Sequence, residues 1–462
     1  MPLRLLFARR VLTVLAALML LWQALPPAAH ARGLPLVRDA EIEDLLRLYA
    51  TPIFRAAGLS PGAVRVHLLQ DSRINAFVAG GQRIFINTGL LRQARTPGEV
   101  IGVLAHETGH IAGAHLARTS LELKRLSTLA IIQQLLAAGA VAGGVAAGQP
   151  GAIQAGKAIA LGGQSMLQRQ FLSYARAQEA AADQAAATFL ERAHLSGRGM
   201  LSMFQRLANR SIASLAHADP YVLTHPMPLQ RIRNLERRLR RSRWFNRPDP
   251  PYLVWRHKMM QAKLTGYLGS PRLVWRKYPK TDNTMPARYA RAIAAYRIGD
   301  SGTALRLLAS LIREKPKYPY FHELKGEVLL KSGRVNAAVK AYARAVALAP
   351  RNGLMRVELA QALLARGDAR SARAALKQLR AARRSEGGRP LLHRLMAQAE
   401  AQRGNISEAE LETAESALRA GDLDLAIRKA RRLTKKLKKG TPGWLRANDI
   451  LATAQRLKKH RR

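Results

Sequence analysis

The chain has 462 residues, of which 48% are hydrophobic and 23% are charged, and 76 Lys and Arg stand against 30 Asp and Glu. This composition excludes disorder of the whole chain, and the length suffices for two or three domains. Because cysteine is absent, a disulfide framework, a lipid-modified cysteine and a thiolate metal site are all excluded.

The excess of Lys and Arg determines which partners are expected. A net charge of +46 attracts anionic molecules such as nucleic acid, acidic lipid and lipopolysaccharide. No nucleic-acid-binding motif accompanies the charge, so we predict no nucleic-acid partner. A solvated basic surface is favoured, and peripheral contact with an anionic membrane surface stays open.

The N-terminus has the pattern of a secretory signal peptide. A basic start precedes an apolar run over residues 11–21, and Ala29-His30-Ala31 fits the small-x-small cleavage rule. We therefore predict a signal peptide over residues 1–31. The alternative is an uncleaved membrane anchor over residues 11–25.

The mature chain is predicted to begin with a helix and a small sheet. Residues 41–49 have amphipathic helical spacing, and residues 64–68 alternate like a strand. Residues 76–78 and 83–87 predict a hairpin, because Gly80-Gly81 supplies a turn between them.

The next helix is predicted to begin at Thr96. Thr96 is a good N-cap, Pro97 suits the first helical position, and Glu99 completes a capping box. This helix runs on into His106.

A long segment after this helix is almost uncharged and rich in Ala and Gly. Residues 129–148 are long enough to be weighed as a membrane span, but Gln133, Gln134 and several glycines weaken that interpretation. We predict a buried or cleft-flanking helix followed by a mobile Gly-rich loop, and then a helix over residues 167–192.

A repeat of 34 residues begins near Met285. Three sets of small residues keep this step: Ala292, Gly326 and Ala360; Gly299, Gly333 and Gly367; Ala304, Ala338 and Ala372. The period is that of tetratricopeptide (TPR) repeats, in which small residues let paired helices approach and Gly turns the chain. A fourth unit runs from about Pro390 to Gly404, and a looser helical continuation follows.

The chemistry is carried by His106-Glu107-Thr108-Gly109-His110, an HExxH motif. On a helix, His106 and His110 lie on one face, so both imidazoles can bind one zinc ion. Glu107 lies beside them and is placed to act as the general base that takes a proton from water.

A third ligand is predicted on the later helix. Glu179 would complete a site of two His and one Glu, which leaves a position open as a catalytic zinc requires. Asp183, one turn further, can accept a hydrogen bond from the far nitrogen of a liganding His, with His106 as the favoured partner. The alternative for Glu179 is an ordinary exposed helix carboxylate.

These motifs resemble a known family. "AHETGHIAGAH" followed by "SYARAQEAAAD" is similar to the HtpX and CAAX-prenyl-protease type of zinc metallopeptidase, as are "NAFVAGGQRIFINTGLL" and "LTHPMPLQRI". With a signal peptide and TPR units, the chain as a whole resembles the BepA-like (YfgC-like) periplasmic proteases.

The resemblance implies a mainly α fold with a small β-sheet, in which an α+β zincin-type metallopeptidase domain precedes an all-α TPR solenoid. The expected segments are the signal peptide, the peptidase domain over residues 32–240, a connector over residues 241–284 and the TPR domain over residues 285–462. The resemblance also implies that the strand near residues 83–87 is a sheet edge along which substrate lies.

The resemblance further implies zinc at His106, His110 and Glu179, catalysis by Glu107 and a role for His225 near the metal. For His225 three roles stay open: a donor to the oxyanion of the transition state, a fourth zinc ligand that locks the resting enzyme, or a plain surface residue. We favour the lock. His115, five residues after His110, is interpreted as structural.

The function implied is that of a periplasmic zinc endopeptidase for unfolded or stalled outer-membrane proteins. The TPR units would dock these proteins and their assembly machinery. One alternative is a TPR chaperone or adaptor with a largely silent zinc site. Another is an inner-membrane-anchored metalloprotease held by residues 11–25 and 129–148.

Overall fold

The computed structural model describes residues 35–146, 150–213 and 220–460. Residues 37–462 form one compact unit, and of the unit before it, residues 1–36, only the last two are described. The predicted signal peptide and the possible anchor over residues 11–25 lie outside the described residues.

The N-terminal part combines a small sheet with three helices. Its elements are β1 (Leu36–Val37), α1 (Ala40–Ala56), β2 (Arg65–Leu69), β3 (Ala76–Val78), β4 (Arg83–Asn87), α2 (Thr88–Gln93) and α3 (Pro97–Ala112). The strand order is β1-β2-β4-β3. β3 and β4 form the predicted antiparallel hairpin, with Gly80 and Gly81 at φ 59° and 88° in the left-handed region of its turn.

The expectation that residues 83–87 form a sheet edge is wrong. β4 lies inside the sheet, because β2 pairs with it in parallel from Arg65↔Arg83 onward while β3 covers its other side. The short strand β3 is therefore an edge of this sheet. The sequence of β4 does not indicate that β2, an earlier strand, pairs with it in parallel.

The start of α3 matches the predicted cap. Thr96 accepts a hydrogen bond from the backbone N–H of Glu99 at 3.3 Å, and Pro97 takes the first turn. The carboxylate of Glu99 accepts from the N–H of Arg95 at 2.7 Å and from Arg206 at 2.8 Å. The helix that carries the HExxH motif is thus fixed at its N-terminus by both its own cap and a buried ion pair.

Two long antiparallel helices replace the predicted mobile loop. The elements after α3 are α4 (His115–Ala146), α5 (Pro150–Arg192), α6 (Arg198–Ala213), α7 (Pro220–Thr224) and α8 (Leu229–Arg240). The prediction of a Gly-rich loop before residue 167 is wrong, since α5 is already helical from Pro150. The many alanines favour helix, and packing of α4 along α5 outweighs the glycines. Among the described helices, none is both long and apolar enough to cross a membrane.

The C-terminal part is all α and confirms the predicted repeats. Its helices are α9 (Pro251–Leu268), α10 (Pro271–Lys277), α11 (Met285–Arg297), α12 (Ser301–Glu314), α13 (Pro319–Lys331), α14 (Val335–Leu348), α15 (Gly353–Leu364), α16 (Ala369–Glu386), α17 (Pro390–Gln402), α18 (Ile406–Ala420), α19 (Leu423–Lys436) and α20 (Pro442–Lys459). Gly299, Gly333 and Gly367 have φ of 88°, 72° and 79° between the helices of three successive pairs, where the turn needs a left-handed residue.

Helix α9 joins the two large hydrophobic cores. Its Met260 and Leu264 pack with the sheet, with α1 to α3 and with α5 to α8, whereas its Met259 and Ala262 pack with the repeats. A third core is formed by α18 to α20. The predicted connector therefore takes part in both large cores, and the exact domain limits stay predictions.

Candidate metal centre

Three segments bring four possible metal ligands together. α3 carries His106 and His110, α5 carries Glu179, and the loop after α7 carries His225. One ligand atom from each lies within 4.8 Å of the others. The Nε2 atoms of His106 and His110 are 3.1 Å apart, and each lies near a Glu179 carboxylate oxygen, at 3.4 Å and 3.3 Å.

The spacing of these atoms fits a tetrahedral ion. Zinc with bonds of about 2.0–2.1 Å to nitrogen and oxygen needs ligand atoms about 3.3 Å apart. His225 Nδ1 lies 3.4 Å from His106 Nε2 and 3.0 Å from both oxygens of Glu179. The donor set, three imidazoles and one carboxylate, is also one that zinc accepts. The four residues therefore fit a metal ion.

A close crossing of two helices allows this geometry. A Cβ atom on Gly109 would lie 2.7 Å from the carbonyl oxygen of Ala182, so a side chain in this place would push α5 away. Glycine in the HETGH segment thus lets Glu179 and Asp183, on either side of Ala182 along α5, approach the histidines of α3. The third ligand depends on this contact between two helices.

Asp183 and Arg231 support the centre from behind. Asp183 Oδ1 lies 3.0 Å from His106 Nδ1, the ring nitrogen that points away from the ligand cluster. Arg231 on α8 donates to Asp183 from Nε at 2.6 Å, and its guanidinium lies 2.9 Å from Glu179. Such contacts orient the imidazole and fix the nitrogen that faces the metal.

The charges of the centre shift its pKa values. Burial would lower the pKa of His106, but its contacts with Asp183 and Glu179 outweigh burial and raise that pKa to about 9. For Glu179, burial opposes ionisation, yet three neighbouring histidines hold its pKa well below the usual range. The carboxylate is thus kept ionised, as a ligand must be.

His115 supports His110 in a similar position. Ala114 has a left-handed φ of 51° and reverses the chain between α3 and α4. His115 Nδ1 then lies 3.0 Å from His110 Nδ1, the nitrogen that points away from the cluster. Burial and the neighbouring His110 lower the pKa of His115 to about 4, so its neutral ring can accept a hydrogen bond there. The structural role that the sequence predicts for His115 therefore includes a contact with a possible metal ligand, His110.

Glu107 differs from the other acids of the site. It is 1% exposed, and neither carboxylate oxygen has a hydrogen-bond partner among the described residues. Burial raises its pKa to about 7, against the opposing effect of His106 and His110. The His225 Nε2 atom lies 3.6 Å from this carboxylate. An unpartnered buried carboxylate with such a pKa has the properties of a general base.

Sequence reasoning missed Arg231 and Tyr221. Arg231 lies within the segment "LTHPMPLQRI", but nothing local distinguishes it from the many other arginines. Tyr221 is fully buried, with its ring centroid 4.6 Å from that of His225. His225 itself is 6% exposed, which excludes the plain surface interpretation.

Comparison with known proteins agrees with this arrangement. Residues 38–239 match the model of peptidase family M48, and residues 289–353 and 329–399 match tetratricopeptide repeat models. Over 400 residues the chain is 25% identical to the beta-barrel assembly-enhancing protease of Yersinia pestis, which covers 85% of this chain and 79% of that protein. It is 24% identical over 404 residues to the protein of that name from Escherichia coli (strain K12), with the same coverage.

Proposed function

Since this chain is a metalloendopeptidase with a domain of peptidase family M48 and C-terminal TPR repeats, we propose that it is a periplasmic zinc endopeptidase acting in outer-membrane protein quality control and assembly. The observation that carries the proposal is the convergence of four ligand atoms within 4.8 Å beside the unpartnered carboxylate of Glu107.

The proposed ligands are His106, His110 and Glu179. A zinc ion bound there would supply a Lewis acid that polarises the scissile carbonyl and lowers the pKa of water. Asp183 holds His106 in the orientation needed for binding, and Arg231 balances the charge of both carboxylates.

Glu107 is proposed to take the proton from the attacking water and to pass it to the leaving amine. Its carboxylate is buried beside the possible metal ligands, with His225 Nε2 3.6 Å away. Its pKa of about 7 suits both accepting and releasing a proton near neutral pH.

His225 is proposed to lock the resting enzyme. Its Nδ1 lies 3.0 Å from Glu179 and its Nε2 lies 3.6 Å from Glu107, so the ring contacts both a ligand and the general base. Replacing it with alanine, His225→Ala, should raise basal peptide cleavage and self-degradation, whereas loss of an oxyanion donor would lower turnover by roughly a hundredfold. Peptide turnover and autolysis of this variant decide between the two, with the exposed His194→Ala as control.

The TPR repeats are proposed to dock unfolded or stalled outer-membrane proteins and their assembly machinery. Two relatives that cover 85% of this chain have beta-barrel assembly in their names. Stacked helical repeats form extended surfaces that suit such partners. The large positive charge further favours peripheral contact with an anionic membrane surface.

The proposal is tested by metal content and casein cleavage of the purified protein. We expect one zinc per chain by elemental analysis, and cleavage that chelator abolishes. Glu179→Ala should lower the zinc content, whereas Glu191→Ala, on the same helix but ion-paired with Arg238, should not. Full zinc occupancy in Glu179→Ala would remove Glu179 from the site, and chelator-resistant cleavage would contradict the mechanism.

A second candidate is a TPR chaperone or adaptor whose zinc site is largely silent. The observation that favours it is the burial of three of the four possible ligands, His106, Glu179 and His225, and of Glu107. The variant Glu107→Gln distinguishes the two functions. If the protein acts as a protease, the variant no longer supports its biological role; if it acts as a chaperone, the variant still does.

A further inference from the structure

The longest exposed apolar surface among the described residues lies far along the α4–α5 hairpin. We call the part of this hairpin that lies beyond Leu121 on α4 and Leu172 on α5 the arm. α4 packs chiefly along α5 and contacts the peptidase core mainly where it follows α3. Thr119 Oγ1 donates to Gln178 at 3.0 Å, which sets the register of the two helices at the base of the arm.

Helix α4 is apolar on two sides in the arm. Leu126 and Ala137 are buried at 7% and 5% exposure, on the side that packs against α5. Four large side chains on the remaining surface are 47% to 67% exposed: Ile131, Ile132, Leu135 and Leu136. A helix of a soluble domain normally presents polar residues there, and an exposed patch of this kind marks an interaction site.

Most charges of the arm lie at its base. In the sequence, Lys157 is the one charged residue between Leu126 and Gln168. Just below that interval, Lys124 and Arg125 on α4 and Arg169 on α5 are exposed. The register at Thr119 brings Arg169 to within about one helical turn of the level of Arg125. These three residues, which we call the collar, place positive charge at the base of the apolar part, where the single acid Glu122 lies 3.5 Å from Arg125.

The distance of the exposed apolar residues from the collar is about the thickness of one leaflet of a bilayer. With a rise of about 1.5 Å per residue, Ile131 and Leu136 lie roughly 9 Å and 17 Å beyond Arg125. The hydrocarbon of one leaflet is about 15 Å thick. α4 continues to Ala146, roughly 32 Å beyond Arg125, so an arm that stays in one leaflet has to lie tilted along the membrane. In that position the exposed apolar side chains reach the acyl chains while the collar lies at the phosphates.

We propose that the arm lies tilted in one leaflet of an anionic phospholipid membrane, with the exposed apolar side of α4 over residues 131–136 among the acyl chains and the collar on the lipid phosphates. This names the surface for the membrane contact included in the proposed function, and it does not depend on the chemistry of the metal centre. Lipid is the occupant that accounts for both features, because the apolar surface bears no pattern of polar partners and the collar has the sign that phosphates attract.

The absence of cysteine allows a direct test in the full-length secreted protein. Leu135→Cys is labelled with an environment-sensitive fluorophore, and Ile406→Cys on α18, 55% exposed against 67% for Leu135, is the control. Vesicles contain phosphatidylethanolamine and phosphatidylglycerol, or phosphatidylcholine alone. With the anionic vesicles, emission at residue 135 should shift to the blue and be quenched by spin labels on the acyl chains, while residue 406 stays in water.

Vesicle flotation of unlabelled protein gives an independent measurement. Changing Ile131, Ile132, Leu135 and Leu136 to Gln should lower binding to anionic vesicles at least tenfold. A control with Ile298, Ile406, Leu445 and Leu457 changed to Gln removes as many exposed apolar side chains elsewhere and should bind like wild type. Neutralising the collar, by Lys124→Gln, Arg125→Gln and Arg169→Gln, should reduce binding towards the level on phosphatidylcholine.

Several results would overturn the inference. Vesicle-bound protein whose label at residue 135 stays in water would show that the net charge of the chain alone causes binding. A change of oligomeric state in the Gln variant without vesicles would assign the surface to a second copy of the chain. Casein cleavage by the same variants should be unchanged, so failure of this inference and failure of the proposed proteolysis are distinguished.

Discussion

Two regions of this molecule bury several charged side chains, and they do so in opposite ways. One is the metal centre. The other, which we call the joint, links α1 and α9 to the first repeats and includes Asp39, Glu41, Lys263, Tyr289 and Tyr318. Both are closed to solvent and both contain a carboxylate on a helix. The difference lies in how completely each carboxylate is partnered.

At the joint the charges of Asp39, Glu41 and Lys263 all have partners. Glu41 is fully buried, and it accepts from Tyr289 at 2.8 Å and from Tyr318. Lys263 lies 2.8 Å from Asp39 and 3.4 Å from Glu41. Burial alone would lower the pKa of Lys263, but the surrounding carboxylates raise it well above the usual value. A fully partnered cluster of this kind holds its elements in one arrangement.

At the metal centre the buried carboxylate of Glu107 has only weak contacts, with His225 Nε2 3.6 Å away and the hydroxyl of Tyr221 as a neighbour that lowers its pKa slightly. Its pKa is raised to about 7, because desolvation outweighs the nearby histidines. The same residue type is therefore structural at the joint and suited to proton transfer at the centre. Burial by itself does not distinguish the two roles; the presence of hydrogen-bond partners does.

The largest effect is expected for Glu107→Gln. An amide cannot accept the proton, so casein cleavage should fall by about 10²- to 10⁴-fold. No hydrogen bond is lost among the described residues, so zinc content and the urea midpoint should be unchanged. Glu41→Gln serves as control and should keep cleavage. Retained cleavage in Glu107→Gln would mean that Glu107, like Glu41, has no part in proton transfer.

Glu41→Ala should affect stability rather than chemistry. It leaves Lys263 and two tyrosine hydroxyls short of a partner in a buried place, and removal of one member of a buried ion pair costs about 3–5 kcal/mol. Urea unfolding measures the change in free energy, and zinc per folded chain should stay as in wild type. An unchanged midpoint would mean that the joint is not held by these partners.

Asp183→Asn tests whether the contact between Asp183 and His106 contributes to zinc affinity. Loss of the negative charge beside His106 Nδ1 should weaken zinc affinity about 10- to 100-fold. Competition with a zinc chelator measures the affinity, and Glu191→Gln on the same helix should match wild type. Equal affinities in the two variants would remove Asp183 from the centre.

The smallest effect is expected at the rim of the joint. Tyr320 donates to Asp44 at 2.8 Å, but the side chain of Asp44 is 42% exposed. Water can replace the lost hydroxyl, so Tyr320→Phe should cost about 0.5–1.5 kcal/mol, with zinc and cleavage unchanged. A loss as large as that of Glu41→Ala would show that exposure does not weaken these contacts.

The features that could be predicted from the sequence alone are those that depend on a local, regular spacing of residues. The HExxH spacing depends on the 3.6-residue turn, the start of α3 on Thr96, Pro97 and Glu99, and the repeats on a step of 34 residues. Each pattern is complete within a few turns of helix, so the chain can be interpreted without its neighbours.

Contacts between segments that lie far apart in the chain became visible in the three-dimensional structure alone. It brings His225 to the ligand cluster, Arg231 to Asp183 and His115 to His110. It also encloses β4 between β2 and β3 and continues α5 through the Gly-rich stretch. These outcomes depend on packing between elements far apart in the chain, such as Gly109 against Ala182, and no local pattern contains them.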